Sequence, residues 1–294
     1  MYELCQAGEN TYFIECPAKI GVYVRPDGRA CLIDSGGDRS AGKRALRILE
    51  ERGWTLEAVI NTHSHADHIG GNRCLQAQTG CRVFADGMEA AFISQPVLEP
   101  ACLYGGCPPK ALRHKFLMAE ASVVTPTSDP SFPKELELIP LPGHSFGMVG
   151  VRTPDDVVFL ADCLASQRTL EKYRIPYLYD AAAHLETLDR VEDMRAKLFV
   201  PSHAEAGEDM SGLLRLNREN TLETAKLLLR LLESPMGFDR LLKAVFEAYG
   251  LAMTFEQHAL VGSTIRSYLA WLLNEGRVTV NFANGVAEWK RAAQ

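Results

Sequence analysis

Four residues of the types that bind metal ions lie within one short segment: His63, His65, Asp67 and His68. The segment directly follows an apolar stretch that predicts a strand. Clustered imidazoles repel one another once protonated, and burial adds a desolvation cost. A divalent cation removes this conflict, because neutral imidazole nitrogen and carboxylate oxygen are good Zn²⁺ ligands. The spacing predicts a metal site in which His63 and His65 project to one side, while Asp67 and His68 serve a second ion nearby.

Three further candidate ligands follow other predicted strands. His144 comes after the strand at 136–141, Asp162 ends the strand at 157–162, and His203 ends the strand at 197–203. Taken singly, each is typical of a hydrogen-bonded loop residue or a helix cap. Four ligands in one loop cannot complete two coordination shells, so donors at other strand ends are required. These three residues supply them.

The elements that position these residues alternate between strands and helices. Residues 11–37 predict an antiparallel meander, because short β-rich runs are separated by Pro-Asp-Gly and Gly-Gly. Apolar residues at helical spacing predict helices over 40–52, 72–78 and 181–196. The segment that leaves Asp162, residues 166–180, predicts a loop, and His184 is expected to be exposed on its helix.

Two regions depart from this alternation. Residues 94–133 contain several prolines and no sustained period, which predicts a long, lid-like insertion with a short helix at 109–118. Helices are predicted over 213–233, 238–249 and 254–274, followed by a hairpin that turns through Ala283, Asn284 and Gly285. The chain is therefore predicted to divide into a catalytic domain, 1–208, and a helical, winged-helix-like domain, 209–294.

Five motifs resemble those of the metallo-β-lactamase-fold superfamily, over residues 10–208. They are THSHADH at 62–68, PGHS at 142–145, LADC at 160–163, SHAE at 202–205 and LIDSG at 32–36. The resemblance implies an α/β fold, a four-layer αββα sandwich. It also implies two divalent metal ions, with Asp34 supporting the 63–68 loop. One ion is held by His63, His65 and His144, the other by Asp67, His68 and His203, and Asp162 bridges both.

The ligand types resemble the glyoxalase II and ribonuclease branches of the superfamily. True β-lactamases and the flavodiiron branch match less well, because this chain has His65 and a bridging Asp162. The resemblance implies a dinuclear hydrolase in which a metal-bridging hydroxide attacks a small thioester or ester, with Asp67 and Asp162 as catalytic residues. The ions are expected to be Zn²⁺, with Fe or Mn²⁺ as alternatives that this ligand set accepts.

Two other functions remain open. A single-strand endoribonuclease, or another phosphodiesterase, uses the same metal chemistry on RNA. A DNA-binding regulator with a vestigial metal site is the alternative from a different class. Residues 209–294 carry ten Lys and Arg against nine Asp and Glu, which favours a packing or substrate-wall role over DNA binding.

The substrate is expected to be a small anionic molecule. Cations and phenols on the segment after Asp162 are suited to anion binding. A solvated connector with its tyrosines packed beneath is the competing interpretation. The candidate substrate-binding residues are Arg168, Lys172, Tyr173, Arg174 and Tyr177.

Composition sets the remaining limits. The chain has 294 residues, 47% of them hydrophobic and 23% charged, which is typical of a folded globular protein. A net charge of −6 argues against a general nucleic-acid-coating role. The sequence shows no export signal and no long apolar run, so the protein is expected to be cytoplasmic and not membrane-bound. Its eight cysteines, including Cys102 and Cys107, are therefore expected to be free thiols. The apolar helical tail suggests a homodimer.

Overall fold

The computed structural model describes residues 2–282 and 285–293, and it contains two packed β-sheets. The larger sheet has the strand order β1-β2-β3-β4-β5-β6-β7, and its first four strands form the antiparallel meander that the sequence predicts. Strands β5, β6 and β7 then add in parallel. The bounds are β1 Glu3–Gln6, β2 Thr11–Glu15, β3 Ile20–Val24, β4 Arg29–Ile33, β5 Thr55–Ile60, β6 Arg82–Phe84 and β7 Val124–Thr125.

The smaller sheet has the order β11-β10-β9-β8, with β10 and β11 parallel. Its strands are β8 Glu137–Pro140, β9 Val149–Arg152, β10 Val157–Ala165 and β11 Leu198–His203. Strand β10 runs beyond Asp162, where the sequence predicts its end. The pairing of β10 with β11 is irregular on both sides of Ala161, so Asp162 lies on a distorted part of the strand.

Ten α-helices are found in the part of the chain that the structure describes. Their bounds are α1 Arg39–Glu51, α2 Ala66–Ile69, α3 Asn72–Thr79, α4 Gly87–Ser94, α5 Leu98–Tyr104, α6 Gln167–Tyr173, α7 Ala181–Asp193, α8 Ser211–Leu231, α9 Phe238–Tyr249 and α10 Phe255–Asn274. None of them, within that part, combines the length and apolar character needed to cross a bilayer.

Alternating side chains of the strands build three apolar layers. One face of the larger sheet packs under α1 and α3, as Leu32 and Val59 do against Leu49. The opposite face meets the smaller sheet, where Ile33 and Phe159 belong to one buried cluster. The outer face of the smaller sheet packs against α7 and α8. These layers confirm the αββα sandwich.

The C-terminal helices α8, α9 and α10 share a separate buried core. A two-stranded antiparallel hairpin, β12 Val278–Asn281 with β13 Glu288–Arg291, follows them. The predicted turn of this hairpin includes Ala283 and Asn284, which lie outside the described residues. The same core also takes in Ile175, Leu178 and Ala181, which precede residue 209. The division at 208/209 and the winged-helix assignment stay predictions.

Two local predictions are wrong. The 166–180 segment is not all loop, because Ser166 caps α6 by accepting a hydrogen bond from the Thr169 backbone N–H. Within 94–133 the main helix is α5, and the predicted helix at 109–118 is only a 3₁₀ turn at Lys110–Leu112. Prolines at 108 and 109 limit helix formation there.

The cysteine prediction is confirmed. All eight cysteines are free thiols, and Cys102 and Cys107 are exposed.

The contact between the two sheets can be tested at Gly21 of β3. A Cβ at this position would lie 2.6 Å from Cε1 of Phe159 and 2.9 Å from Cδ1 of Ile33. We expect Gly21→Ala to lower the free energy of unfolding by about 1–3 kcal/mol through overpacking, measured by urea denaturation. Gly212→Ala is the matched control, since nothing lies within 4 Å of its added Cβ. Equal stability of the two variants would contradict the close packing.

Candidate metal centre

The candidate ligands come together at one edge of the sandwich. His63 and His65 follow β5, and Asp67 and His68 belong to the short helix α2. Three residues complete the group: His144 after β8, Asp162 within β10, and His203 at the end of β11. Strands β4 and β5 are parallel, as are β10 and β11, so their carboxyl ends meet at this edge.

Asp34 ties the first ligand loop to the end of β4. Its carboxylate accepts hydrogen bonds from the Thr62 backbone N–H at 2.8 Å and the Thr62 hydroxyl at 2.7 Å. His68 Nδ1 lies 2.8 Å from the same carboxylate. Thr62 Oγ1 also lies 3.0 Å from His63 Nδ1. Since the hydroxyl proton goes to Asp34, Thr62 accepts from Nδ1–H of His63, which leaves Nε2 of both histidines with a lone pair.

Outer hydrogen bonds orient the other imidazoles in the same way. His144 Nδ1 donates to the Tyr177 carbonyl at 3.1 Å, and His203 Nδ1 donates to the Pro17 carbonyl at 2.8 Å. A carbonyl can only accept, so Nε2 of each neutral ring carries a lone pair. His65 is turned around, because its Nε2 faces Glu99 Oε1 at 3.6 Å. Its Nδ1 points inward.

The inward nitrogens lie close to one another. His65 Nδ1 is 3.1 Å from His63 Nε2 and 2.9 Å from His144 Nε2. Asp162 stands between this group and a second one: its Oδ2 is 3.5 Å from His144 Nε2 and 3.2 Å from His203 Nε2, and its Oδ1 is 3.2 Å from His68 Nε2. Asp67 Oδ2 is 3.2 Å from His203 Nε2.

Burial and mutual charge move the pKa values of these groups in both directions. Burial lowers the pKa of His144 to about 4, with the neighbouring His65 acting in the same sense. Burial likewise lowers the pKa of His63. The Asp162 carboxylate raises the pKa of His203 to about 10. Burial alone would raise the pKa of Asp162, but His203 and His68 hold it well below its usual range. The carboxylates are therefore ionised and poised to neutralise cations.

This donor set fits divalent metal ions. The His68 Nε2 and Asp162 Oδ1 atoms are buried and lie 3.2 Å apart, yet neither forms a hydrogen bond of suitable geometry with any described residue. Imidazole nitrogens and carboxylate oxygens that converge in this way suit a divalent cation placed between them. Three groups have donor atoms within 4.8 Å of one another: His63 with His65 and His144, His63 with His68 and Asp162, and Asp67 with His68 and His203.

Backbone strain accompanies this arrangement. Asp34 has φ 64° and Ala161, directly before Asp162, has φ 50°. A left-handed conformation costs a non-glycine residue on the order of 1–2 kcal/mol. Gly143, before His144, has φ 124°, and a Cβ there would lie 2.4 Å from the His184 backbone nitrogen. Tertiary contacts thus hold Asp34 and Ala161 in a backbone conformation that non-glycine residues rarely adopt, and Gly143 leaves room for His184 beside the His144 loop.

Sequence reasoning missed Glu89 of α4, which joins two ligand loops. Glu89 is 3% exposed. Its carboxylate accepts hydrogen bonds from the Ser64 N–H at 2.8 Å, the Ser145 hydroxyl at 2.6 Å and the Gly147 N–H at 2.8 Å. The available signal was a single carboxylate inside the otherwise apolar segment 87–93. Buried carboxylates need such partners.

Glu99 of α5 was also missed, because it lies in the insertion. It is 8% exposed, and burial, with Glu89 contributing, raises its pKa to about 8.

A cavity of about 660 Å³ opens beside the ligands. Its walls include residues of the insertion, of helices α8 and α10, and of the segment 175–178. Of the candidate substrate residues, Tyr173 and Tyr177 line this cavity, and the Tyr177 ring centre is 5.3 Å from that of His65. Arg168, Lys172 and Arg174 are exposed and are not among the described residues that line it.

His184 is buried, so the prediction that it is exposed is wrong. It is 4% exposed, lies against Gly143 and lines the cavity. Its helix α7 covers the smaller sheet, and the 142–145 loop packs on its first turn, which the helical pattern alone does not reveal.

The three hydrogen bonds of Glu89 predict a role in holding the ligand loops. We expect Glu89→Gln to weaken Zn²⁺ binding by about 10- to 100-fold, because an amide cannot accept all three bonds. Competition with a chromogenic chelator measures this affinity. Glu50→Gln, at an exposed position on α1, is the control. Unchanged affinity in Glu89→Gln would show that the loops hold their geometry without it.

The burial of His184 predicts that the free energy of unfolding of the metal-free protein falls at acid pH. Burial, with the His144 charge adding to it, lowers its pKa to about 3. The folded state therefore takes up this proton less readily than the unfolded state, and the stability is full above pH 6.5 and lost as the pH falls towards 3. In His184→Gln we expect the loss between pH 7 and pH 5 to shrink by about 2 kcal/mol. Urea titrations at both pH values test this, with His258→Gln as control. An equal loss in His184→Gln and the parent would refute it.

Comparison with known proteins agrees with this geometry. Curated relatives include hydroxyacylglutathione hydrolases of Methylococcus capsulatus, 31% identical over 128 residues, and of Cereibacter sphaeroides, 32% identical over 120 residues. These matches cover 43% and 40% of this chain, and 41% and 38% of the relatives. The chain thus spans only about two fifths of the length of these relatives.

Solved structures share the fold over nearly the whole chain. A beta-lactamase domain protein from Burkholderia ambifaria has a TM-score of 0.71 at 16% identity, covering 99% of this chain and 94% of that one. A metallo-beta-lactamase family protein from Thermus thermophilus has a TM-score of 0.69 at 17% identity, with 98% of both chains covered. The model of the Metallo-beta-lactamase superfamily matches residues 16–203, a span that contains every candidate ligand, and the chain belongs to this superfamily.

Proposed function

We propose that the protein is a dinuclear metal-dependent hydrolase that acts on a small thioester or ester. The observation that carries the proposal is the position of Asp162, whose carboxylate faces both donor groups. Its Oδ2 lies 3.5 Å from His144 Nε2 of the first group and 3.2 Å from His203 Nε2 of the second, and its Oδ1 lies 3.2 Å from His68 Nε2 of the second. His63, His65 and His144 would hold one ion, and Asp67, His68 and His203 the other. Asp162 would contact both. Zn²⁺ suits this set of nitrogen and oxygen donors, with Fe and Mn²⁺ as alternatives.

Paired divalent ions, when bound, lower the pKa of water and polarise the oxygen of a carbonyl group. The protein supplies the positioning. The imidazole Nδ1–H groups donate outer hydrogen bonds to Asp34, Tyr177 and Pro17, which fix the rings, so little reorganisation is needed during the reaction.

Asp67 is placed to contact a water molecule at the reacting centre. Its side chain is 51% exposed and lines the cavity, whereas Asp162 is 11% exposed. Removal from bulk water inside the cavity would raise the pKa of Asp67, but His68 and His203 lower it, so the carboxylate is ionised at neutral pH. We propose that Asp67 orients the attacking water by accepting a hydrogen bond from it.

The size of the cavity supports a small substrate. A volume of about 660 Å³ lies within the range of roughly 300–1,000 Å³ that small-molecule sites occupy. The names of the curated relatives, hydroxyacylglutathione hydrolases, support hydrolysis of the bond between an acyl group and its carrier.

Release of thiol from a panel of acyl thioesters tests the proposal. We expect turnover by the Zn²⁺-loaded protein, two bound ions per chain, and loss of turnover after chelation. Asp162→Ala should lower kcat/KM by more than about 100-fold, beyond what loss of a supporting residue costs. Asp239→Ala, at an exposed position on α9, is the matched control.

Retained turnover in Asp162→Ala would refute a metal centre in which Asp162 contacts both ions. If the metal-loaded protein cleaved no thioester or ester but did cleave single-stranded RNA, the endoribonuclease alternative would replace the proposal. Strong salt dependence of that cleavage would support nucleic acid as the substrate.

A further inference from the structure

Lysine and arginine side chains are scarce along the cavity. Among the described residues that line it, Lys115 is the one Lys or Arg. The acidic residues that line it are Asp38, Asp67, Glu99, Asp162 and Glu256. Asp67 and Asp162 belong to the proposed metal centre and Glu99 faces His65, so Asp38 and Glu256 remain against one cation away from the metal centre.

That cation already has a partner. Lys115 Nζ lies 3.4 Å from Asp38 Oδ2, and Asp38 Oδ1 accepts hydrogen bonds from the backbone N–H groups of Ser40 and Ala41. Glu256 Oε1 lies 3.6 Å from His114 Nε2 at the rim. Away from the metal centre, an anionic group that entered the cavity would therefore meet no free Lys or Arg among the described lining residues, and it would have to displace Asp38 to reach Lys115.

The rest of the cavity offers an apolar wall. We use this name for the lining residues Leu117, Leu164, Ile175, Leu178, Leu260 and Val261. All except Leu260 are buried. The insertion closes over this wall, because Leu103, Leu112 and Leu117 pack with Ala259 of α10, and Tyr177 and Leu260 border the same cluster.

From this lack of a free cation and this wall, and resting on the proposed function, we infer that the substrate is an uncharged ester or thioester whose apolar acyl group packs against the apolar wall. Burying a CH₂ group against such a wall is worth about 0.8 kcal/mol, which corresponds to about fourfold in affinity. A polyanionic carrier would instead bring its charges towards Glu256 and would find no unpaired Lys or Arg among the described lining residues. This argues against the anionic substrate expected from the residues after Asp162.

The cationic side chains of the segment after Asp162 lie outside the cavity and contact other side chains there. Lys172 Nζ donates a hydrogen bond to Tyr173 Oη at 2.8 Å and lies 4.4 Å from the centre of that ring. Arg174 is exposed beside it. An anionic carrier would have to bind at this outer surface, so a substitution of Lys172 tests the anionic alternative.

Non-hydrolysable thioethers distinguish an uncharged substrate from an anionic one. Titration calorimetry on the Zn²⁺-loaded protein would compare S-octyl-N-acetylcysteamine with S-octyl-glutathione and S-octyl-coenzyme A. We expect the uncharged ligand to bind at least about tenfold more tightly, and each CH₂ from butyl to octyl to add about fourfold. Tighter binding of either anionic ligand, weakened by Lys172→Ala or by salt, would overturn the inference.

Leu260→Asn tests the wall itself. We expect it to weaken octyl binding by at least about tenfold more than butyl binding. Leu222→Asn is the matched control, since Leu222 is a 36% exposed leucine on α8 with the same cost of asparagine in a helix. Equal effects on the two ligands would remove Leu260 from the acyl site. If Leu260→Asn does not fold, as checked by circular dichroism, the ligand series on the parent protein decides.

Failure of the inference and failure of the proposed function give different results. Metal-dependent cleavage that is fastest with the coenzyme A or glutathione thioester would retain the hydrolase and reject the uncharged substrate. Tight, chain-length-dependent binding of the uncharged thioether without cleavage of the matching thioester would retain the cavity assignment and reject the hydrolase.

Discussion

The crowding of metal-binding groups at one edge of the sandwich is the constraint on which the rest of this structure depends. Five imidazoles and two carboxylates bring nitrogen and oxygen atoms to within about 3 Å of one another. The rings must therefore be held in place from outside the cluster. The groups that hold it come from separate parts of the chain: the Pro17 carbonyl, the Asp34 carboxylate, the Tyr177 carbonyl and Glu89. The sandwich brings these parts together, so the fold and the donor set depend on one another.

Much of the architecture follows from local patterns. The antiparallel meander is predictable because turn residues separate its strands, and α1 and α9 are predictable from the spacing of their apolar residues. The grouping of the histidines is predictable because the carboxyl ends of parallel strands meet at one edge. Strand β10 is different. Its distortion at Ala161 depends on pairing with β11, which no pattern within 157–162 encodes.

The residues that sequence reasoning missed share one property: their roles depend on partners far away in the chain. Glu89 accepts from residues 25, 56 and 58 positions away. Glu99 belongs to an insertion that lacks a clear period, and His184 is covered by a loop that approaches because of Gly143. A buried carboxylate in an apolar helix indicates that some partner exists. It does not say which one.

The position of the apolar wall has an evolutionary consequence. Every candidate metal ligand lies within residues 16–203, the span shared with the superfamily, whereas Leu260 and Val261 belong to α10 outside it. Four of the six wall residues lie within the shared span, so only part of the wall is encoded in a stretch of the gene that can diverge separately from the candidate ligands. Drift or exchange of the C-terminal helices would reshape one side of the cavity while the strand ends that carry the candidate ligands stay unchanged.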